Sequence, residues 1–156
     1  MFTRSFKISL LSTALFCVGL IVALHLTVSA QEEARKGLQA PAFTATDSKG
    51  QTVSLGGLKG KYVVLEWHNQ GCPFTRKHYE SGNMQALQKE WTAKGVEWFT
   101  VISSAPGTQG YVTASEENDY LAKMHAVPTA ALLDPDAKLA RLYSAKTTPE
   151  MYVIDP

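Results

Sequence analysis

Cysteine is scarce in this chain, with two in 156 residues, at positions 17 and 72. Two thiols exclude a multi-bridge disulfide framework, and no second cysteine stands three residues from either to make a C-x-x-C pair. Charge of one sign is also lacking. The formal net charge is +1, and no block of Lys or Arg forms the basic stripe that a phosphate-tracking surface needs, so nucleic acid is not a partner. Four histidines are scattered without ligand spacing, so no metal site is implied. Internal repeats and low-complexity tracts are absent. What remains fits one domain long enough to bury a core.

The longest apolar run lies at the N-terminus. Arg4 and Lys7 precede an apolar stretch from about Ile8 to Val28, and Val28-Ser29-Ala30 supplies small residues at its exit. This is the pattern of a secretory signal peptide over residues 1–30, with cleavage after Ala30 and a periplasmic or secreted product. The alternative is an uncleaved anchor facing the periplasm, the one route by which a membrane becomes a partner. Cys17 reads as apolar filler in this segment. Removing it leaves Cys72 as a lone thiol in an exported chain, hence a reactive or intermolecular one.

Residues 31–40 are polar and read as a flexible lead-in, and residues 41–156 read as the folded domain. Thr44 and Thr52–Leu55 flank the turn sequence Asp47-Ser48-Lys49-Gly50, which predicts an N-terminal hairpin. Residues 62–67 and 96–102 are apolar runs suited to strands buried on both faces. Between them a helical pattern reaches about Lys94, with Met84, Leu87 and Trp91 inward and a break at Ser81-Gly82-Asn83. Thr113 and Glu116 form a capping-box pattern for a helix over about 114–125, with Tyr120, Leu121 and Met124 inward. Strands at 130–133 and 151–154 and a short helix at 139–143 complete an α/β pattern.

The chemistry concentrates between Tyr62 and His78. Cys72 follows a buried strand and a short polar loop, and Pro73 behind it marks the first helical position. Free amides and the positive helix end favour a thiolate there. Arg76 and Lys77 add positive charge, and Arg76 offers a fork of donors for a peroxide oxygen or a carboxylate. Thr75 stands where a resolving cysteine would be. A hydroxyl cannot attack a mixed disulfide, so the chemistry is monothiol. Glu66 is an acid in an apolar strand, and burial raises its pKa. His68 and His78 flank the site, where either could act as base or charge partner, but both read first as surface imidazoles; His125 reads as a helix-end residue interacting with the dipole.

The GCPF at 71–74 and the TTPEMYVID at 147–155 resemble a thioredoxin-like fold, and more narrowly the redoxin family of alkyl hydroperoxide reductases and thiol-specific antioxidants. The resemblance covers about residues 38–156. It implies a central mixed sheet with helices on both faces, Cys72 as nucleophile, Glu66 as a buried acid relaying protons to it, and no cofactor. It also implies that Pro149 is cis and shapes the partner groove beside Cys72; Val127-Pro128-Thr129 is the rival position. Typical peroxiredoxins carry a proline and a threonine seven and three residues before their cysteine, where this chain has Leu65 and Asn69. The family usually continues with one more strand and a helix, so the chain reads as missing them at its C-terminal end.

These readings give catalytic roles to Cys72, Arg76 and Glu66, and binding roles to Pro73, Thr75 and Pro149. The implied activity is an exported thiol oxidoreductase with antioxidant character. It would reduce a peroxide or exchange with a disulfide, and an external thiol would act as reductant. The competing reading is a non-catalytic module that holds a partner peptide on the same groove.

Overall fold

The computed structural model describes residues 33–156. The signal-peptide reading, its cleavage site and Cys17 lie outside the described residues. Six strands form one mixed sheet in the order β2-β1-β5-β4-β3-β6. The strands are β1 (Thr44–Asp47), β2 (Thr52–Ser54), β3 (Val63–Trp67), β4 (Glu97–Ile102), β5 (Ala130–Leu133) and β6 (Glu150–Ile154). Among the described residues four α-helices accompany them: α1 (Pro73–Glu80), α2 (Asn83–Ala93), α3 (Ala114–Lys123) and α4 (Lys138–Tyr143).

β3, β4 and β5 run parallel, while β1 is antiparallel to β5 and β6 antiparallel to β3. β1 and β2 form the expected hairpin, whose turn is held by Asp47 Oδ1 accepting from the amides of Lys49 and Gln51. All five residues of β3 are buried, as a central strand covered on both faces requires. Strand alternation sorts its side chains into two cores. Val63, Leu65 and Trp67 join Phe99, Val101, Leu132 and the α4 residues Leu139, Leu142 and Tyr143. On the other face, Val64 meets Trp98, Tyr79 of α1 and Met84 of α2.

The helical stretch after Cys72 breaks where expected. Gly82 takes a left-handed backbone, φ +74°, and α2 starts afresh at Asn83. The inward stripe of α2 differs from the expectation: Trp91 is exposed, and Gln88 holds the fully buried place because its amide has polar partners beneath the helix. Tyr62, expected within the buried run, lies outside β3 and is half exposed. On α3 the capping box forms as expected, and Glu117 is the fully buried residue, with Tyr120 and Met124 packing beside the core. The lead-in is attached to the domain at Ala34, whose amide donates to the Leu142 carbonyl at 2.9 Å. β6 is an edge strand with Met151 and Val153 exposed, and among the described residues no strand pairs with its outer side.

Gly82 has open space where a Cβ would stand, so its substitution tests backbone conformation alone. Gly82→Ala is expected to cost about 1–2 kcal/mol in denaturant unfolding, the penalty of a left-handed residue with a Cβ, and Gly82→Asn less. Equal stability of all three proteins would refute this.

Candidate functional site

The site is built where β3 ends. Strand, loop and helix succeed each other so tightly that residues 68–72 have little freedom. The His68 amide donates to the Val101 carbonyl on β4, and the Cys72 amide donates to the Asn69 carbonyl. Cys72 is the N-cap of α1 with Pro73 at the first position, and its carbonyl accepts from the Arg76 amide at 2.9 Å, closing the first turn. The sulfur is partly exposed.

β6 brings the second half of the site. Its register pairs Glu150 with Trp67, which sets residues 146–149 beside the cysteine loop. The Thr148–Pro149 peptide is cis, as the family resemblance implied, and no other cis bond occurs among the described residues. Glu150 fixes this loop by accepting from the amides of Lys146 and Thr147, at 2.7 and 2.9 Å, and from the Tyr152 hydroxyl. Burial pushes the Glu150 pKa up, but these donors outweigh it and the carboxyl stays below its ordinary value. The Thr148 carbonyl thereby lies 3.1 Å from Cys72 Sγ.

The Cys72 thiol is held below its ordinary value. The largest cause is hydrogen bonding from the Thr148 side chain. Burial opposes it. The backbone amides of Thr75 and Phe74 and the Thr75 hydroxyl then lower the pKa further. A protonated Cys72 instead donates to the Thr148 carbonyl, which favours the thiol form; the donors to the thiolate prevail. Thr75 is fully buried one turn beyond the sulfur, and its Oγ1 has no hydrogen-bond partner. Arg76 stands differently from the expectation. Its guanidinium is exposed and paired to Glu80 at 3.0 Å along the helix, so hydrogen bonds and not this charge depress the thiol. Pro73 and Phe74 are exposed next to the sulfur.

Glu66 is fully buried on the opposite side of β3 from Leu65. Its oxygens accept from Tyr79 (2.9 Å), Trp98 Nε1 (2.8 Å) and Gln88 (3.1 Å). Burial raises its pKa, against the lowering effect of His68 and of these three donors. None of these hydrogen bonds joins Glu66 to Cys72. His68, read from sequence as a surface imidazole, is buried instead. Its Nε2 meets Glu117 Oε1 at 2.9 Å, and its ring lies 5.6 Å from both Tyr79 and Tyr120. Burial alone would lower the His68 pKa, but the hydrogen bond and charge of Glu117, with Glu66 behind, raise it overall. His78 bonds Asn83 across the α1–α2 break, and His125 is exposed past the end of α3. Sequence reasoning missed Glu117, Thr148 and Glu150. Glu117 had a signal, because positions 117, 120, 121 and 124 share the helical spacing of the inward face.

A cysteine at the start of a helix, facing a cis-proline loop at the end of a mixed sheet, defines a thioredoxin-like redox domain. The chain belongs to the AhpC/TSA family, which its residues 37–156 match. It is 27% identical over 142 residues to the thiol-disulfide oxidoreductase ResA of Bacillus subtilis, covering 88% of this chain and 74% of that protein. It is 28% identical over 155 residues to a protein of Xenopus laevis named "Probable glutathione peroxidase 8-B", covering 90% and 70%. The fold matches the thioredoxin domain of a thiol-disulfide oxidoreductase from Bacteroides vulgatus with a TM-score of 0.59 at 24% identity, over 80% of this chain and 84% of that one.

The buried pair makes stability depend on pH. His68 has a raised folded pKa, so its contribution is complete below the unfolded value of about 6.5 and is lost as pH rises through the folded one. Glu66, also raised, acts with the same sign from about 4.5 upward. Urea unfolding should therefore show stability falling as pH rises above about 6.5. Glu117→Gln should flatten that slope while leaving the Glu66 and Cys72 contributions common to both proteins. Parallel slopes would contradict the ion-pair assignment.

Proposed function

We propose that this protein is a monothiol thiol-disulfide oxidoreductase in which Cys72 is the nucleophile. The observation that carries the reading is the partly exposed sulfur, held toward thiolate by helix amides and Thr148, and placed beside the Thr148–Pro149 backbone. The Cys72 thiolate attacks one sulfur of a substrate disulfide, forming a Cys72–substrate mixed disulfide and releasing the other sulfur as a thiolate. Thr75 cannot resolve this product, so an external thiol attacks it, frees Cys72 and carries away the substrate as a disulfide. The residues around the sulfur divide this work. The Phe74 and Thr75 amides and the Thr75 hydroxyl stabilise negative charge on the sulfur, and exposed Pro73 and Phe74 with Pro149 offer the surface on which a partner chain rests. Glu66 stays a buried acid behind the sheet, and Arg76 serves the helix surface. The N-terminal signal pattern supports work outside the cytosol, where the reductant is a partner thiol.

Peroxide reduction is the second reading, favoured by the relative named as a peroxidase. There the thiolate takes a peroxide oxygen, forms a sulfenic acid and releases an alcohol or water. Asn69, at the position where typical peroxiredoxins carry threonine, has its side-chain amide committed to Gln109 and Gly71. This favours disulfide exchange.

Reaction of the purified protein, with Cys17→Ser wherever the leader is retained, with an aromatic disulfide such as 5,5′-dithiobis(2-nitrobenzoate) tests the first reading. Cys72 should form the mixed disulfide faster than a free thiol at pH 7, an added monothiol should release it, and Thr75→Val should raise the thiol pKa and slow the step several-fold. Parallel treatment with hydrogen peroxide and dimedone should trap little sulfenate. A thiol pKa at or above the free-cysteine value of about 8.5 would sink both reactions. A Cys72→Ser protein that retains full function in cells would establish the binding-module alternative instead.

A further inference from the structure

The loop between β4 and α3, residues 103–113, has no part in the chemistry described so far, yet it is fastened to the cysteine loop. Asn69 Nδ2 donates to Gln109 Oε1 at 2.9 Å, and Gln109 Nε2 lies 3.3 Å from Asn69 Oδ1. That same Asn69 Oδ1 accepts from the Gly71 amide at 2.8 Å, while the Asn69 carbonyl accepts from the Cys72 amide at 2.9 Å. One side chain thus shapes the turn immediately before the nucleophile and ties it to a second loop.

Two glycines permit the approach. A Cβ on Gly71 would collide with Gln109, and a Cβ on Gly110 would collide with Asn69. Gly110 is also left-handed, φ +88°, so two separate constraints require glycine there. One residue earlier, His68 is anchored to Glu117, which lies on α3 directly beyond the same loop. The segment after β4 therefore grips the cysteine loop twice, by an amide pair outside and an ion pair inside.

We propose that Asn69 is a positioning residue for Cys72 and that Gln109 fastens a second loop to it: the Asn69 acceptor sets the turn that aims the nucleophile, and the amide pair makes the 103–113 loop a wall of its groove. The physical argument is local. The amides of Phe74 and Thr75 stabilise the thiolate only if the Cys72 backbone keeps its extended N-cap conformation, φ −75° and ψ 126°. That conformation follows a turn whose side-chain acceptor is Asn69. Losing the acceptor frees residues 70 and 71. Losing Gln109 frees the wall and leaves the turn. This inference rests on the nucleophilic role of Cys72 proposed above.

The experiment compares wild type, Asn69→Ala, Asn69→Ser, Gln109→Ala and Gly110→Ala, each with Cys17→Ser wherever the leader is retained. Three readouts are followed: the pH dependence of Cys72 alkylation by iodoacetamide, the exchange rate with 5,5′-dithiobis(2-nitrobenzoate), and the exchange rate with a bulky peptide disulfide. Asn69→Ala should raise the thiol pKa and slow exchange by about three- to tenfold, the loss of one net hydrogen bond. Asn69→Ser, which restores an acceptor to the Gly71 amide, should recover the thiol pKa. Gln109→Ala should leave the thiol pKa near wild type but change the exchange rate with a bulky peptide disulfide more than with the small one, whereas Gly110→Ala, whose Cβ displaces the Asn69 side chain, should shift the thiol pKa in the direction of Asn69→Ala. If wild-type Cys72 is itself unreactive, the functional reading fails. If wild type reacts and Asn69→Ala matches it in pKa and rate while unfolding more easily, Asn69 is structural only and the positioning role is overturned.

Discussion

The placement of one sulfur at the first turn of a helix, within 3.1 Å of the Thr148 carbonyl, is the constraint on which the rest of this arrangement depends. A thiolate at a helix N-terminus is stable only while the first-turn amides point at it, and those amides are oriented by the backbone of the residue that bears the sulfur. The sheet therefore delivers three things to one place: the end of β3, the loop before β6 with its Thr148 carbonyl and side chain, and the loop after β4 that carries Gln109. The order β5-β4-β3-β6 suits this, because β4 and β6 flank β3 on its two sides.

Beneath that arrangement lies an unusually polar core face. Glu66, His68, Gln88, Thr100 and Glu117 are all buried there, among Tyr79, Trp98 and Tyr120. Such groups are tolerated when they satisfy one another, as Glu66 and Gln88 do with Tyr79, Trp98 and the Val127 amide, whereas His68 Nδ1, Thr100 Oγ1, Glu117 Oε2 and the Tyr120 hydroxyl have no hydrogen-bond partner. The result is a layer in which α1, α2 and α3 are held to the sheet by specific bonds as well as by apolar contact. Gln88 shows this directly: its amide nitrogen serves Glu66 and its oxygen accepts from the Val127 amide at 2.9 Å, joining α2, β3 and the approach to β5. The opposite face, with α4, is conventionally apolar.

Much of the architecture was legible in the sequence because its signals were strong and local. The apolar runs gave β3 and β4, the Thr113–Glu116 box gave the start of α3, and Gly82 gave the break after α1. Cys72 followed by Pro73 placed the sulfur at a helix start without any structure. The polar core was harder to read. Gln88 and Trp91 lie three residues apart on α2, and hydrophobicity favours burying the tryptophan; only the three-dimensional neighbourhood of Glu66 shows why the glutamine goes in. His68 was misjudged for a related reason. Its partner stands 49 residues away, and pairing across that separation leaves no periodic trace. Arg76 illustrates the reverse, since its i,i+4 partner Glu80 was visible in the sequence and competes with the cysteine for its charge.

The three tryptophans of the chain sit in unlike surroundings. Trp91 is on the surface, Trp67 packs against Tyr143 and Tyr152 and bonds Ser103, and Trp98 donates its indole proton to the Glu66 carboxyl. Indole emission responds to nearby charge, so the Trp98 signal follows whether Glu66 is ionised, while Trp67, at the last position of β3, follows the strand end that leads to Cys72. The domain is thereby equipped with built-in optical reporters, one for the proton inventory of its interior and one for the approach to its cysteine loop.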